Sequence, residues 1–544
     1  MKRKSVVLIA VVITLALGTL SPGQAQEVKS LKIAFDQEYD NLNPMYTDMY
    51  FALITRSFYL APAWNFDDNL NPHPVLVTEI PSTENGGISA DGKTLTLKLR
   101  DDIKWSDGEP LTSADFVFTY KMIIDNSNSP LSRYPYEGAV DSVEAPDERT
   151  VVVTFKEPFA GWLGTIFGYV LPEHVLAPVY ADEGTLDAAE WNRAPKVGSG
   201  PYVFDQWETG SFVRFKRNDN YYDAPAKIDV VSISFIPDSA SYVIALQNED
   251  ADVGTFVAYS DVPRLEQSGN VDITVVASGY NEAWFMNVRP GLAHPAMLDV
   301  NVRKALVMAF NRDQICKDLL LGLTYPATSF WEKTPFASPN AKPLPYDPEM
   351  AKQLLDQAGW VDSDGDGIRD KDGQKLSLRY GIISRQIRID TGVVAQQQLK
   401  EVGVDLVLQT YPSEIYFNGY AEGGPIATGQ FDIAEWSDNP RGFPDPDTSL
   451  FLCTQVPTDE KPDGDNWTGY CDPALDALFA EQARTLDYNA RIEVFHRIDD
   501  KLAEGVVWAS IWHDPDLWVL NKRISNAKLN GATPFWNIAE WDIQ

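Results

Sequence analysis

The sequence predicts a mixed α/β protein divided into two or three lobes. Three observations lead there. Period-two strand patterns and 3.6-residue helix patterns alternate along the chain, with no internal repeat or low-complexity tract. A chain of 544 residues exceeds what one hydrophobic core serves. A hydrophobic content of 44% is one that folds rather than one that stays disordered.

The chain opens with Lys2, Arg3 and Lys4, then an uncharged apolar run from Val6 to Leu20, broken by Ser21-Pro22-Gly23 ahead of small residues around Ala25. That order is a secretory signal, so residues 1–25 are expected to be a leader. The mature chain is then exported, to the periplasm or the extracellular envelope space. The run falls short of the roughly 20 residues a bilayer span needs, and no cysteine lies near the cleavage point to carry a lipid.

After the Asp91-Gly92 turn, Leu95, Leu97 and Leu99 alternate with polar residues and predict a half-buried strand. Thr112 with Asp115 three residues on predicts a capped helix whose face carries Phe116, Tyr120 and Ile123. Val151 to Phe155, Val213 with Phe215, and Val230 to Ile236 read as further strands. Gly198-Ser199-Gly200 reads as a turn feeding a strand. Asp347-Pro348 and Asp472-Pro473 each place an N-cap before a proline at the first helical position. Ile492, Phe495, Ile498 and Leu502 mark one more helix. Stretches 181–200, 333–347 and 437–448 read as joints or binding loops.

Composition excludes several functions. The 78 acidic residues against 45 basic ones give a formal net charge of −33. Such a surface repels nucleic acid and anionic lipid, and keeps an exported protein soluble. The five histidines form no H-E-x-x-H pair, and neither a G-x-S-x-G elbow nor a phosphate-binding glycine loop occurs. A carboxylate pair facing across a cleft, as in a secreted hydrolase, is the one enzyme arrangement that motifs leave open.

Three features point toward ligand or ion binding. Trp64, Trp284, Trp436 and Trp467 sit in polar, turn-rich surroundings, where rings either wall a cleft or fill a large core. Asp362, Asp364, Asp366 and Asp370 alternate with glycines and serine, which suits either a calcium ion or a tight turn without metal. Gly373 stands where a helix-loop-helix calcium site needs a glutamate. In an exported chain Cys453 and Cys471 can pair across a turn-rich segment, stabilising by roughly 3 kcal/mol, while Cys316 reads as a buried thiol.

Taken together, several motifs carry a family resemblance. Leu97-Lys-Leu-Arg-Asp-Asp-Ile-Lys-Trp105-Ser-Asp107-Gly108-Glu-Pro-Leu-Thr-Ser-Ala-Asp115-Phe-Val-Phe118 is the most specific. Asp40 to Pro44, Gly198 to Tyr202, Asn218 to Tyr222, Val302 to Leu306, Asn311 to Asp313, Ala351 to Trp360 and Gln398 to Gly403 follow in order. The chain resembles the family 5 extracellular solute-binding proteins of ABC transporters, the group that includes dipeptide- and oligopeptide-binding proteins.

That resemblance implies a two-lobed periplasmic-binding-protein fold of the large three-domain type, with a cleft closed by a hinge. One lobe is expected at about 26–70, 191–280 and 508–544, an inserted domain at 71–190, and the opposing lobe at 281–507. It further implies a monomer without catalysis, which takes a peptide, or alternatively an oligosaccharide, and delivers it to permease subunits. Relatives meet the ligand's α-amino group with an aspartate after a tryptophan. Here Trp436 and Asp438 match best, one residue closer together than in the dipeptide binder, and Asp445 is the second choice. Tyr280, Trp284 and Asn287, on the expected crossing strand, are candidate cleft residues. The resemblance also supports the Cys453–Cys471 pairing.

Overall fold

The computed structural model describes residues 28–47, 49–420, 423–438, 449–462 and 464–544. The expected leader and Asp445 lie outside these residues.

Local signals produce the expected elements. Thr112 accepts the backbone N–H of Ala114 and Asp115 accepts that of Thr112, so a capping box starts the helix Ser113–Ile124. Asp347 and Asp472 cap the helices Pro348–Gln357 and Pro473–Gln482. At Gly198-Ser199-Gly200 the chain passes so close to Tyr59 that a β-carbon on Gly198 would stand 2.2 Å from the Tyr59 carbonyl oxygen. Glycine alone fits there, and the strand Tyr202–Glu208 follows.

These elements build one ten-stranded sheet. Its order is Asp405–Tyr411, Ser377–Ile383, Ile433–Asp438, Val271–Met286, Trp508–Asn521, Val253–Thr255, Ser30–Phe35, Val230–Phe235, Phe212–Arg217 and Tyr202–Glu208. Two strands at its centre, Val271–Met286 and Trp508–Asn521, are 16 and 14 residues long and antiparallel. Val253–Thr255 pairs with Trp518–Leu520, while Ile433–Asp438 pairs with Asn281–Met286. Val271–Met286 therefore serves one group of strands and Trp508–Asn521 the other, at opposite ends of the pair.

The crossing point is marked chemically. Register shifts between Ala277 and Asn281, opposite Pro515 and His513. Pro515 lacks the N–H that a central strand would use, and Gly279 adopts φ +83°. The register breaks here within each long strand; the expected boundary at 280/281 lies inside Val271–Met286, and the one at 507/508 lies at the start of Trp508–Asn521.

Packing follows the same division. Leu31, Ile33, Val231 and Trp518 share one core with Leu97, Trp105, Val151 and Val153 of a three-stranded sheet formed by Thr94–Lys98, Thr150–Phe155 and Val140–Asp147. A separate core gathers Trp284, Leu306, Leu378, Ala395 and Trp512. No helix among the described residues is long and apolar enough to cross a membrane.

Candidate functional site

Strand alternation around the crossing point gives two unlike surfaces. On one, Glu282, Trp284, Glu435 and Ser437 project together, because Trp284 pairs with Glu435 and Glu282 with Ser437. On the other, Asn281 faces Asp438 in register.

The first surface is dry. Glu282 and Arg388 are both buried and joined by two hydrogen bonds, each 2.8 Å, from guanidinium to carboxylate. Neither oxygen of fully buried Glu435 receives a hydrogen bond. Burial, then the adjacent Glu282 charge, pushes the Glu435 pKa well above the usual carboxylate range. Burial also raises Glu282, but Arg388 pulls it back, and the bidentate geometry makes Glu282 the ionised member.

The second surface is wet and acidic. Asp438, Asp514 and Asp516 are half-buried, and Tyr280 is 43% exposed among them. Partial burial and then the charges of Asp438, Asp516 and Asp514 raise the Tyr280 pKa. Asp514 accepts Trp512 Nε1–H at 2.7 Å and the hydroxyl of Ser437 from the first surface, so it stands between the two surfaces. Burial, then the charge of Asp516 and the neighbouring Tyr280, raises Tyr50 as well. Tyr50 packs edge-on against Phe256, and both line a cavity of about 350 Å³ with Asp36 and Gln37. Phe256 is exposed and has φ +57°, a conformation that costs a bulky residue. A second cavity, about 620 Å³, opens beside His513.

The structure sorts the residues expected from sequence. Asp438 and Tyr280 come together on the acidic surface. Trp436 stands behind them: it stacks on Phe285 at 3.6 Å and donates its Nε1–H to Asp438 Oδ2 at 3.1 Å, so it orients the carboxylate from within the core. Two expectations are corrected. Trp284 is buried against Phe310 and donates to the Tyr380 hydroxyl, so it fills the core. Asn287 is buried, with its amide spent on the carbonyls of Gly429 and Phe431, and it anchors a loop. Cys453 and Cys471 form a disulfide, and Cys316 is buried.

The aspartate-rich loop is cross-linked from inside. Oxygens of Asp362, Asp364 and Asp370 gather within 4.8 Å of one another. However, Lys375 Nζ lies 2.7 Å from Asp364 and 2.9 Å from Asp366, and Asp362 accepts the N–H groups of Gly365 and Gly367. The lysine ammonium offsets part of the negative charge that Asp362, Asp364, Asp366 and Asp370 gather there.

Sequence reasoning missed Tyr50, Phe256, Asp514 and Asp516. For the last two a signal existed, because Asp514-Pro515-Asp516 interrupts an apolar run that otherwise reads as a central strand.

Comparison with known proteins agrees with this architecture. The family model for bacterial extracellular solute-binding proteins, family 5, middle region, matches residues 71–458. The oligopeptide-binding protein AppA of Bacillus subtilis is 26% identical over 487 residues, covering 87% of this chain and 84% of AppA. The nickel-binding periplasmic protein of Escherichia coli is 27% identical over 333 residues, 59% of this chain and 60% of that protein. Among solved structures, B. subtilis AppA in complex with a nonapeptide superposes with a TM-score of 0.67 at 24% identity, over 95% of this chain and 99% of that one. HbpA2 of Haemophilus parasuis reaches 0.78 at 19% identity, over 95% and 100%.

Proposed function

The chain belongs to the bacterial extracellular solute-binding proteins of family 5, and from that premise we propose that it captures short peptides and hands them to the permease of an ABC importer. Proteins of this family bind their solute and release it unchanged, so the acidic surface is a recognition surface rather than a reaction centre.

The observation that carries the peptide reading is the half-buried Asp438 at the crossing point, oriented by Trp436 and backed by Asp514 and Asp516. An α-ammonium group leaving water needs a fixed carboxylate, since a buried cation without one is costly. Tyr50, Tyr280 and Phe256 supply ring area beside it. Ligand held here touches both groups of strands, so it favours the closed arrangement by its differential affinity. The closed monomer then docks on the permease.

Oligosaccharide binding is the weaker reading on a specific ground. Of the tryptophans that would stack on sugar rings, Trp64, Trp284 and Trp436 are buried in cores, and Trp467 packs edge-on against Trp436.

Calorimetry with trialanine and its N-acetylated form tests the amine contact. Free trialanine is expected to bind at least about thirtyfold tighter than the acetylated peptide, as for a desolvated charge pair, and Asp438→Ala removes the difference. Asp445→Ala runs alongside as the second choice. If both peptides bind equally, or if both variants retain the preference, amine recognition at this strand end is wrong.

A further inference from the structure

We infer that a cavity at the far end of the helix Tyr50–Tyr59 is a second small-molecule site, which takes one neutral ring bearing a hydrogen-bond acceptor for the indole N–H of Trp536. It lies apart from the acidic surface. Tyr50, near Asp516 and Tyr280, starts the helix, whereas Ser57, about 10 Å further along the axis, lines the cavity. No residue of Val271–Met286 or Trp508–Asn521 contributes to its walls, so it is no part of the solute site.

The cavity measures about 170 Å³. That is too small for a peptide and close to the roughly 150 Å³ of an apolar cavity that admits benzene. Pro62, Pro74 and Pro201 stand in its wall. A proline has no N–H, so this part of the wall asks a ligand for apolar contact alone. The rings of Tyr221, His73 and Trp536 add flat surface. Remote parts of the chain tie these walls together. Asn530 Nδ2 donates to the carbonyls of Phe66 and Asp67, which holds the C-terminal segment to the paired strands Trp64–Phe66 and Pro72–Pro74. Asn537 donates to the Asn526 carbonyl and accepts the Trp541 indole hydrogen at 2.8 Å. The cavity is thus formed before a ligand arrives.

Trp536 carries the polar part of the recognition. Its Nε1–H is shut off from solvent and meets no acceptor among the described residues. By contrast, Trp64 donates to the Leu163 carbonyl at 2.6 Å, and Trp541 donates to Asn537. A buried donor left unmade is costly, and a ligand in the cavity that this ring lines can supply the missing acceptor.

Charge does not select the ligand. Of the carboxylates on the lining, Asp223 pairs with Arg100 at 3.4 Å and Glu540 accepts Asn537 Nδ2 at 3.1 Å. Lys528 Nζ stands 5.7 Å from the centre of the Trp536 ring, so two cations and two carboxylates offset one another around the cavity. His73 is exposed, with its ring edge-on to Trp536 at 6.1 Å, and water meets its charge in either protonation state. Burial, then the Asp223 charge, pushes the Tyr221 pKa up to about 12, which keeps that hydroxyl uncharged. Apolar walls and one spare donor describe a neutral ring with one acceptor.

The test uses the full mature protein. Saturation-transfer NMR titrations with phenol and toluene, which differ by a hydroxyl in place of a methyl, isolate the acceptor. Phenol is expected to bind wild type at least about fivefold tighter than toluene, as for one hydrogen bond to a donor otherwise unserved. Trp536→Phe keeps a ring and drops the N–H, and it is expected to bind the two probes alike. Ser57→Leu extends a half-buried helix residue into the cavity and is expected to bind neither. Ala539→Leu fills the same space from the C-terminal segment, so a misfolded Ser57→Leu does not leave the outcome open. Benzoate and benzylammonium are expected to bind no tighter than toluene, and excess trialanine to leave phenol binding unchanged. If phenol binds the wild type and a filled variant equally, or binds none of them, the second site is overturned. If Trp536→Phe keeps the preference, or a charged ring binds tighter than phenol, the neutral-acceptor assignment is wrong. Displacement of phenol by trialanine would put the ring in the solute cleft and sink the second site while leaving the peptide reading intact.

Discussion

Glu435 and Asp438 stand three residues apart on one strand and live in opposite worlds. Glu435 is fully buried beside Glu282 and Arg388, with both oxygens unpartnered. Asp438 is half-buried at the strand end, with one oxygen held by the Trp436 indole and the tyrosines around it partly open. Strand alternation puts the two side chains on opposite faces, and the register with Val271–Met286 decides which face is covered. The contrast separates two uses of a carboxyl group. Inside, it must be neutral or paired, and it serves to fix one packing arrangement. At the edge, it stays partly hydrated yet dry enough for a cation to gain by replacing the water.

The harshest way to break the buried side is to remove the cation that Glu282 is hydrogen-bonded to. Arg388→Ala leaves Glu282 charged or forces it to take a proton, next to a second acid with no donor of its own. Breaking a buried pair by deleting one partner costs about 3–5 kcal/mol. Urea unfolding checks this, and a loss below about 1 kcal/mol would mean that water already reaches the pair.

Glu435→Gln sharpens the same side through pH. In the folded state the Glu435 pKa is raised by burial and by Glu282, so the fold keeps a proton that the unfolded chain gives up. Its stabilising contribution is therefore complete below the ordinary carboxylate range. It is lost as pH rises toward the folded-state value, at about 1.4 kcal/mol per pH unit while only the unfolded chain is ionised. Glutamine has no proton to lose. The variant and the wild type should match near pH 4 and diverge in the variant's favour toward pH 7. Parallel stability curves over that span would show that Glu435 is ionised in the fold.

Much of this fold is legible from sequence because its signals are local. The Thr112–Asp115 box, the Asp-Pro helix starts and the Leu95-Leu97-Leu99 alternation act within one turn or one strand, and the elements stand where these residues put them. The disulfide and the crossing strand were legible through resemblance. The failures share a different physics. Alternation alone would put Tyr280 and Trp284 on one face; the irregularity between Ala277 and Asn281 and the helix that Arg388 sits on, 106 residues from Glu282, decide which of them is dry. Phe256 and Lys333 carry no signal for a left-handed backbone, since tertiary packing imposes it on residues that avoid it. The carboxylate loop shows a similar limit: its spacing was open to an ion or a metal-free turn, and the Lys375 ammonium that pairs with Asp364 across a short hairpin could not be read from that spacing.

The smallest effect is the most discriminating for the exposed side. Asp438→Asn keeps the shape of the side chain and an oxygen in place to accept the Trp436 indole hydrogen, so the packing beneath it is unchanged. The group is half-buried, which makes the change in solvation small. Thermal or urea stability is expected to move by no more than about 0.5 kcal/mol, as for a surface substitution away from a packed network. Affinity for a free-amine peptide is expected to fall at least about tenfold, because an amide offers an ammonium a dipole in place of a charge. A residue kept for architecture would show the opposite pattern, a marked loss of stability with binding intact. That result would move Asp438 into the class of Glu435 and leave Asp514 and Asp516 as the remaining carboxylates of the recognition surface.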